Sequence, residues 1–355
     1  MSRNSELHKA SKEKKDEFYT QLSDIEKELK YYKDYFKNKT VYCNCDDPYE
    51  SNFFKYFAMN FNFLWLKKLI ATWYSTSPIA FTQLPLFEIK WLENEKTRAY
   101  KIEINEVYDA NEDWAINLAD IEYLLRTWKW KNKVSILEWD WDFRSKECIE
   151  LLKNADIVVT NPPFSLFREY IAQLMEYNKK FLIIGSINAI TYKEVFPLIQ
   201  NNNIWIWVSI HSWDREFRVP DDYPLNASWF RVDADWNKFI RVKWVRWFTN
   251  LDYKERHENL VLYKNYSKDE YPEYDNYKAI NVNKTAEIPC DYEWVMWVPI
   301  TFMDKYNPEQ FEILNANDFR KYDFVPRKAH WLIKDKDWVI AWKPTYARIL
   351  IRRKK

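Results

Sequence analysis

The stretch Asp156-Ile-Val-Val-Thr-Asn-Pro-Pro-Phe164 decides how this chain is read. Ile157 to Thr160 is a short apolar run of mostly β-branched residues, the composition of a strand buried on both faces. Asn161-Pro-Pro163 ends that run abruptly, because two prolines fix φ, remove two backbone donors and hold Asn161 extended. What remains is a rigid corner presenting two acceptors, the Asn161 side-chain carbonyl and the Pro162 backbone carbonyl. Acceptors converging on one amino group suit the exocyclic nitrogen of adenine, whose lone pair is delocalised into the ring and must be drawn back before it can attack. Phe164 would stack on the face of such a base. No titratable group is needed at the corner. In isolation the same four residues, Asn161, Pro162, Pro163 and Phe164, make an ordinary proline-rich loop capped by Asn, and only their place at a strand end in an alternating chain favours chemistry.

That alternation extends in both directions. Thr40 to Cys45, Lys68 to Thr72, Val134 to Glu138 and Lys180 to Ile184 read as further core strands, and Lys101 to Asn105 alternates like an exposed one. Between them, Glu50 to about Phe63, Ala119 to Thr127, Arg144 to Asn154 and Leu166 to Tyr177 have helical composition. Ahead of them Phe18, Leu22, Ile25 and Leu29 form one apolar stripe on a charged helix reaching about Lys37. Strands alternating with helices predict an α/β doubly wound sheet, in which ligands sit beyond the carboxyl ends of the strands. Chemistry is therefore expected in the turns after Cys45, Glu138 and Thr160. Beyond about His211 the chain turns aromatic, charged and irregular, with one strand expected at Lys238 to Lys243. The expected organisation is a helical segment over 1–40, a catalytic domain over 41–215 and a target-recognition region over 216–355.

Composition narrows the class. The 355 residues allow a sizeable core, and no run of eighteen apolar residues or signal-like leader is present, which predicts a soluble, cytoplasmic protein with no membrane partner. Cys43, Cys45, Cys148 and Cys290 show no metal-ligand spacing with one another or with His8, His211, His257 and His330, so neither a metal site nor a disulfide framework is expected. The formal net charge is +1, but from Pro326 onward ten Lys or Arg face two Asp. Such an end suits a phosphate backbone, and equally an ordinary solvated terminus.

One count departs from any normal protein: a single glycine, Gly185, beside twenty tryptophans. Glycine usage of roughly 7% would give about 25 in a chain of this length. The tryptophans of Asp113-Trp114, Ser212-Trp-Asp214, Asp235-Trp-Asn237 and Asp337-Trp338 stand in polar clusters where glycine is routine turn chemistry. The expectation is that most of them are glycines, from a codon read as tryptophan on paper and decoded as glycine in the cell. Trp205 and Trp247, set among Ile, Val, Arg and Phe, read as authentic.

The motifs together resemble the adenine-specific DNA methyltransferases, and specifically the EcoRI-type modification methylases. The resemblance is carried by Lys15-Asp-Glu-Phe-Tyr-Thr-Gln21, Asn44-Cys-Asp-Asp-Pro-Tyr-Glu-Ser-Asn-Phe53, Asp140-Trp-Asp-Phe-Arg-Ser145, Asp156 to Phe167, Ile190-Thr-Tyr-Lys-Glu-Val-Phe196 and Arg246-Trp-Phe-Thr-Asn250, in the family's order. It implies a Rossmann-like, S-adenosylmethionine-dependent fold and a catalytic corner at Asn161, Pro162, Pro163 and Phe164. It further implies a cofactor site with Phe18, Tyr19 and Thr20 at the methionine end, Asn44, Asp46, Asp47 and Pro48 in the first turn, and Asp142 and Phe143 at the adenine. On residues alone, Phe18 and Tyr19 are core stripe, Asp46 and Asp47 a turn before a helix, and Asp142 a helix N-cap. The first turn lacks Gly-x-Gly, the second strand ends without the acid that commonly holds the ribose, and Trp139 and Trp141 would crowd a cofactor.

The implied activity is methyl transfer from S-adenosylmethionine to adenine in double-stranded DNA, with the base flipped from the stack. The expected setting is a monomer with a cognate restriction endonuclease as genetic partner. Two alternatives stay open at this level: methylation of RNA or of a protein amide by the same corner, and a silent nucleic-acid-binding module using tryptophans as stacking platforms.

Overall fold

A computed structural model describes residues 20–44, 51–74, 99–110, 112–127, 133–137, 142–207, 214–219, 229–243, 245–315, 339–340, 343–344 and 348–354. The chain forms two compact units, Met1–Ile187 with Ser209–Leu251, and Asn188–Val208 with Asp252–Lys355.

In the first unit the helices are α1 (Leu22–Leu29), α2 (Lys33–Phe36), α3 (Asn52–Met59), α4 (Leu118–Thr127), α5 (Lys146–Asn154) and α6 (Phe167–Glu176), and the strands that alternate with them are β1 (Thr40–Cys43), β2 (Lys68–Tyr74), β3 (Ala99–Ile104), β4 (Lys133–Ile136), β5 (Ile157–Thr160) and β6 (Lys180–Ser186). These strands, with β11 (Val245–Thr249), lie in the order β4-β3-β2-β1-β5-β6-β11. The centre is parallel: β1 pairs with β2 and β5, and β5 with β6. Every residue of β1 and β5 is buried, as their unbroken apolar sequences require. The flanks are antiparallel, β11 on β6 and β3 on β2.

The expected strands at 40, 68, 156, 180 and 238 are all present. The third core strand is displaced: β4 lies outside β3, which is inserted between it and β2. Nor is β3 simply exposed. Its period of two puts Ile102 and Ile104 on one buried face, while on the other Lys68 and Lys101 pair with Glu103 at 2.7 and 3.3 Å. The apolar stripe appears on α1, where Ile25 and Leu29 are fully buried, while Phe18 lies outside the described residues.

Within the same unit β8 (Asp214–Val219), β9 (Phe230–Val232) and β10 (Lys238–Lys243) form an antiparallel sheet in the order β8-β10-β9. The second unit contains β7 (Trp205–Trp207) and a sheet of β12 (Ile280–Asn281), β13 (Met296–Pro299), β14 (Phe311–Ile313) and β17 (Arg348–Arg353), in the order β12-β13-β17-β14; β15 (Val339–Ile340) and β16 (Lys343–Pro344) form a separate pair.

The described part of the basic end, Arg348–Arg353, is therefore not a solvated tail. Ile349, Leu350 and Ile351 are buried in a strand paired on both sides. Arg348 is buried and donates to the Val282 carbonyl at 2.8 Å, Arg352 meets Glu312 at 2.5 Å, and Arg353 donates to the Cys290 carbonyl. The apolar triplet drives the segment inward, and its flanking guanidiniums are spent on internal acceptors. Among the described residues no helix is long and apolar enough to cross a membrane.

Candidate active site

The carboxyl ends of β1 and β5 lie side by side because Val41 is opposite Ile157 and Tyr42 opposite Val158. A chain of buried hydroxyls and an amide closes this end. Thr160 Oγ1 donates to the Asn44 backbone carbonyl, Thr72 Oγ1 donates to Asn44 Oδ1 at 2.9 Å, and the Tyr42 hydroxyl lies 3.2 Å from Thr72 Oγ1. Asn44, Thr72, Thr160 and Tyr42 are all buried, so each of these bonds is shielded from water and costly to leave unmade. The network ties three parallel strands together where they stop. Only Asn44 stands out in the sequence; Tyr42, Thr72 and Thr160 show there merely as hydroxyls within or at the end of apolar strands.

Directly on this floor stands the corner. Pro162 is buried, while Asn161, Pro163 and Phe164 are half-buried. Pro163 has φ −54° and ψ 124°, and its carbonyl accepts from Leu166 N at 3.0 Å, closing a single 3-10 turn over Phe164–Leu166 that runs into α6. Phe167, the first residue of α6, is buried edge-on against Phe248 of β11, with ring centroids 5.0 Å apart. The helix that follows the corner is thus anchored to the sheet from its first residue.

The turn before α5 is locked to the same helix. Phe143 is buried and packs edge-on against Tyr170 at 5.0 Å, and its carbonyl accepts from Gln173 Nε2 at 3.1 Å. Asp142 is not the N-cap of α5. That role belongs to Ser145, whose hydroxyl accepts from Cys148 N at 3.2 Å. Asp142 instead accepts from Arg144 three times, from the backbone N at 2.9 Å, Nε at 2.8 Å and Nη2 at 2.5 Å, and Arg144 Nη1 reaches Glu169 of α6 at 2.6 Å. The hydrogen bond to Asp142 holds the Arg144 guanidinium above its already high range. Asp142, three residues before the cap, also accepts from Ser145 N at 2.7 Å through its backbone carbonyl, which turns the chain tightly and keeps its carboxylate beside Arg144.

A third element meets β1's exit. Ser51 caps α3, accepting from Phe53 N at 3.2 Å and Phe54 N at 3.4 Å, and Asn52 Nδ2 donates to the Thr20 carbonyl at 2.7 Å. Thr20 is buried, and its hydroxyl has no hydrogen-bond partner among the described residues. A buried hydroxyl left in that condition at the first βα turn fits a site completed by a polar ligand. Phe18, Tyr19, Asp46, Asp47 and Pro48 lie outside the described residues, as do Trp139 and Trp141. The structure therefore brings Asn44 and Asn161 together on one floor, ties Thr20 to the start of α3, and places Asp142 and Phe143 against α6. A cavity of about 550 Å³ lined by Thr40, Lys68, Lys101, Glu103 and Lys146 lies at the opposite, amino end of β1 and is a different feature.

Comparison with known proteins bears on what this floor and corner do. The family described as adenine-specific methyltransferase EcoRI matches residues 6–354. The chain is 47% identical over 352 residues to the Type II methyltransferase M.EcoRI of Escherichia coli, covering 98% of this chain and 96% of that one. It is 34% identical over 359 residues to the Type II methyltransferase M.MgeORF184P of Mycoplasma genitalium, and 33% identical over 355 residues to M.MpnI of Mycoplasma pneumoniae, with 98% of each chain covered in both cases. No solved structure matches it.

Proposed function

The chain belongs to the EcoRI-type adenine-specific methyltransferases, and from that premise we propose how its residues carry the reaction. It is a DNA methyltransferase of the Type II restriction-modification kind, which sets aside RNA or protein substrates and a silent binding module.

S-adenosylmethionine, when bound, supplies the methyl sulfonium. Thr20, with its buried hydroxyl, is assigned to the methionine end together with Phe18 and Tyr19. Asn44 and the turn bearing Asp46, Asp47 and Pro48 hold the middle of the cofactor. Asp142 and Phe143 are assigned to its adenine end; the Phe143 ring is committed to Tyr170, so it acts by fixing the turn and not by an open face.

The target adenine must leave the duplex stack to be reached. Asn161 Oδ1 and the Pro162 carbonyl accept the two N–H bonds of its amino group, which turns the nitrogen lone pair out of conjugation, and Phe164 stacks on the ring. As the nitrogen lone pair takes the methyl group, the C–S bond pair would stay on the sulfonium sulfur, leaving a neutral thioether, and the positive charge would move to the nitrogen, facing two fixed acceptor dipoles. The nitrogen then loses its proton to water, because Asn161, Pro162, Pro163 and Phe164 offer no titratable group. The acceleration comes from alignment and preorganised dipoles, the contributions a rigid corner can make.

The observation that carries this reading is the half-buried Asn161–Phe164 corner standing on the Thr160–Asn44 hydrogen bond at the carboxyl ends of neighbouring parallel strands. The test is Asn161→Ala assayed for tritiated methyl transfer to duplex DNA alongside calorimetric binding of S-adenosylmethionine. Transfer is expected to fall at least 100-fold, the order seen when one preorganised polar group is removed from a reacting centre, with cofactor affinity nearly intact. Near-normal turnover would remove the assignment. The protein is proposed to work in the cytoplasm as a monomer, alongside an endonuclease of the same specificity.

A further inference from the structure

Seven non-glycine residues among those described have positive φ: Asn38, Trp65, Glu112, Trp114, Asn178, Asn202 and Trp236. Asparagine tolerates the left-handed region, but a bulky side chain there is a true outlier. Three of the seven are tryptophan, at 53°, 68° and 65°. Their side chains are 68%, 99% and 81% exposed, so no packing compensates the backbone strain.

Each of the three occupies a backbone position with a known occupant. At Trp65, Leu66 N bonds to the Phe61 carbonyl at 3.0 Å and Trp65 N to the Asn62 carbonyl at 3.1 Å, the paired bonds of a Schellman helix end. Two other helix ends in this chain make the same pair of bonds. Lys179 N reaches Leu174 and Asn178 N reaches Met175 at 2.9 and 3.1 Å, while Asn203 N reaches Leu198 and Asn202 N reaches Ile199 at 2.8 and 3.0 Å. The left-handed residue in those two is Asn, the usual second choice; in the third it is the residue written Trp, where glycine is the first choice.

Trp236 sits between β9 and β10. Its N–H bonds to the Asp233 carbonyl at 3.2 Å and Asp233 N to the Asn237 carbonyl at 3.1 Å, closing a turn whose last residue is left-handed, the glycine place of a bulged hairpin. Trp114 follows Asp109-Ala-Asn-Glu-Asp113 in sequence, and Asp120 stands eleven residues after Asp109. That spacing follows the twelve-residue calcium-loop pattern, with Asp in place of the usual Glu at its end, and the sixth residue of that pattern is glycine because the chain turns sharply there. Trp114 is the sixth, and its N–H is drawn 2.6 Å from Asp109 Oδ2 in such a turn.

Trp205 and Trp247 are of another kind. Trp247 is wholly buried in β11 with its ring edge-on to Phe53 at 5.7 Å, and Trp205 is buried beneath the Arg256 guanidinium at 3.7 Å. Their indoles are used; those at 65, 114 and 236 are not.

We infer that residues 65, 114 and 236 are glycine in the working protein, their codons being decoded as glycine where the conventional table writes tryptophan. A chain made with tryptophan there carries three strained turns that the native molecule lacks.

Two measurements test this. Peptide masses of the protein purified from its own cells should report glycine at all three positions, and tryptophan at any of them overturns the inference for that position. In parallel, the chain as written is compared with Trp65→Gly/Trp114→Gly/Trp236→Gly and with the corresponding triple alanine variant. The glycine chain should melt roughly 5 °C higher, given the left-handed penalty relieved at three sites and the size of the chain. The alanine chain, which keeps a Cβ at positive φ, should gain much less. Equal gains from alanine and glycine would mean that removing exposed indoles is what stabilises, and would sink the inference, as would a rise on Trp247→Gly, where a fall is expected.

Discussion

Gly185, the one glycine written in the chain, sits in β6 opposite Arg246, and its φ is not in the left-handed region. It is there for space. A Cβ built on it would lie 2.4 Å from Phe167 Cε2 and 2.7 Å from Phe167 Cζ, about 1 Å inside ordinary carbon contact. Phe167 has little freedom to yield, since its ring is buried against Phe248 and its backbone begins α6. Gly185→Ala therefore forces the ring, and with it the first turn of α6 and the Phe164–Leu166 turn behind the corner. Overpacking of this kind costs about 2 kcal/mol, which for a chain of this size lowers the melting temperature by roughly 3 °C. Methyl transfer should fall with it, in kcat more than in cofactor affinity. The assay is a double-mutant cycle on melting temperature and on tritiated methyl transfer to duplex DNA. Phe167→Leu alone costs about 1 kcal/mol for lost packing, but it vacates the position the new methyl needs. The double variant should then be little worse than Phe167→Leu, a coupling of about 2 kcal/mol. Additivity within about 0.5 kcal/mol would show that the two residues do not share that space and would refute the reasoning.

Thr160→Val keeps the shape of β5 and removes the donor to the Asn44 carbonyl; with both groups buried it should cost about 1–2 kcal/mol and lower kcat by loosening the corner from its floor, and an unchanged melting temperature and rate would count against the network. His257 lies 3.0 Å from Asp252 and 2.9 Å from Glu309, and the hydrogen bond to Asp252, with Glu309 adding and burial opposing, raises its pKa above 6.5. The stability this pair contributes is full below the unfolded value and is lost as pH climbs through the folded one, so the melting temperature should decline with pH above about 6.5. His257→Gln should flatten that decline, and an identical profile in the variant would exclude His257 as its source.

The central strands were legible because an unbroken apolar run bounded by polar turns has few alternatives, and the corner because two prolines leave so little freedom. Place in the sheet was less legible. The alternation of Lys101, Ile102, Glu103 and Ile104 marks a strand but says nothing of its neighbours, and β3 entered between β2 and β4. Charge decided little at the end of the chain: ten Lys or Arg from Pro326 onward suit a phosphate backbone or a solvated terminus equally, whereas the three apolar residues between Arg348 and Arg352 make a paired strand. At the candidate site, sequence marked Asn44 and Asn161 but not the hydroxyls of Tyr42, Thr72 and Thr160, because a threonine at a strand end looks the same whether or not it spans to another strand. Either Asp142 or Ser145 could cap α5 from sequence alone; the tight Asp142–Ser145 turn gives the cap to Ser145 and leaves Asp142 to Arg144, which also reaches Glu169 of α6.

The Thr160–Asn44 bond joins residues 116 apart in the chain, with β2, β3 and β4 all passing between them. Loop closure over such a separation is entropically expensive, and non-local parallel pairing is slow to form. During synthesis β1 emerges and waits for β5, so a ribosome-bound fragment that stops short of Thr160 has half a floor and no corner. The Asn44 carbonyl thus lacks its Thr160 donor until the centre of the sheet closes.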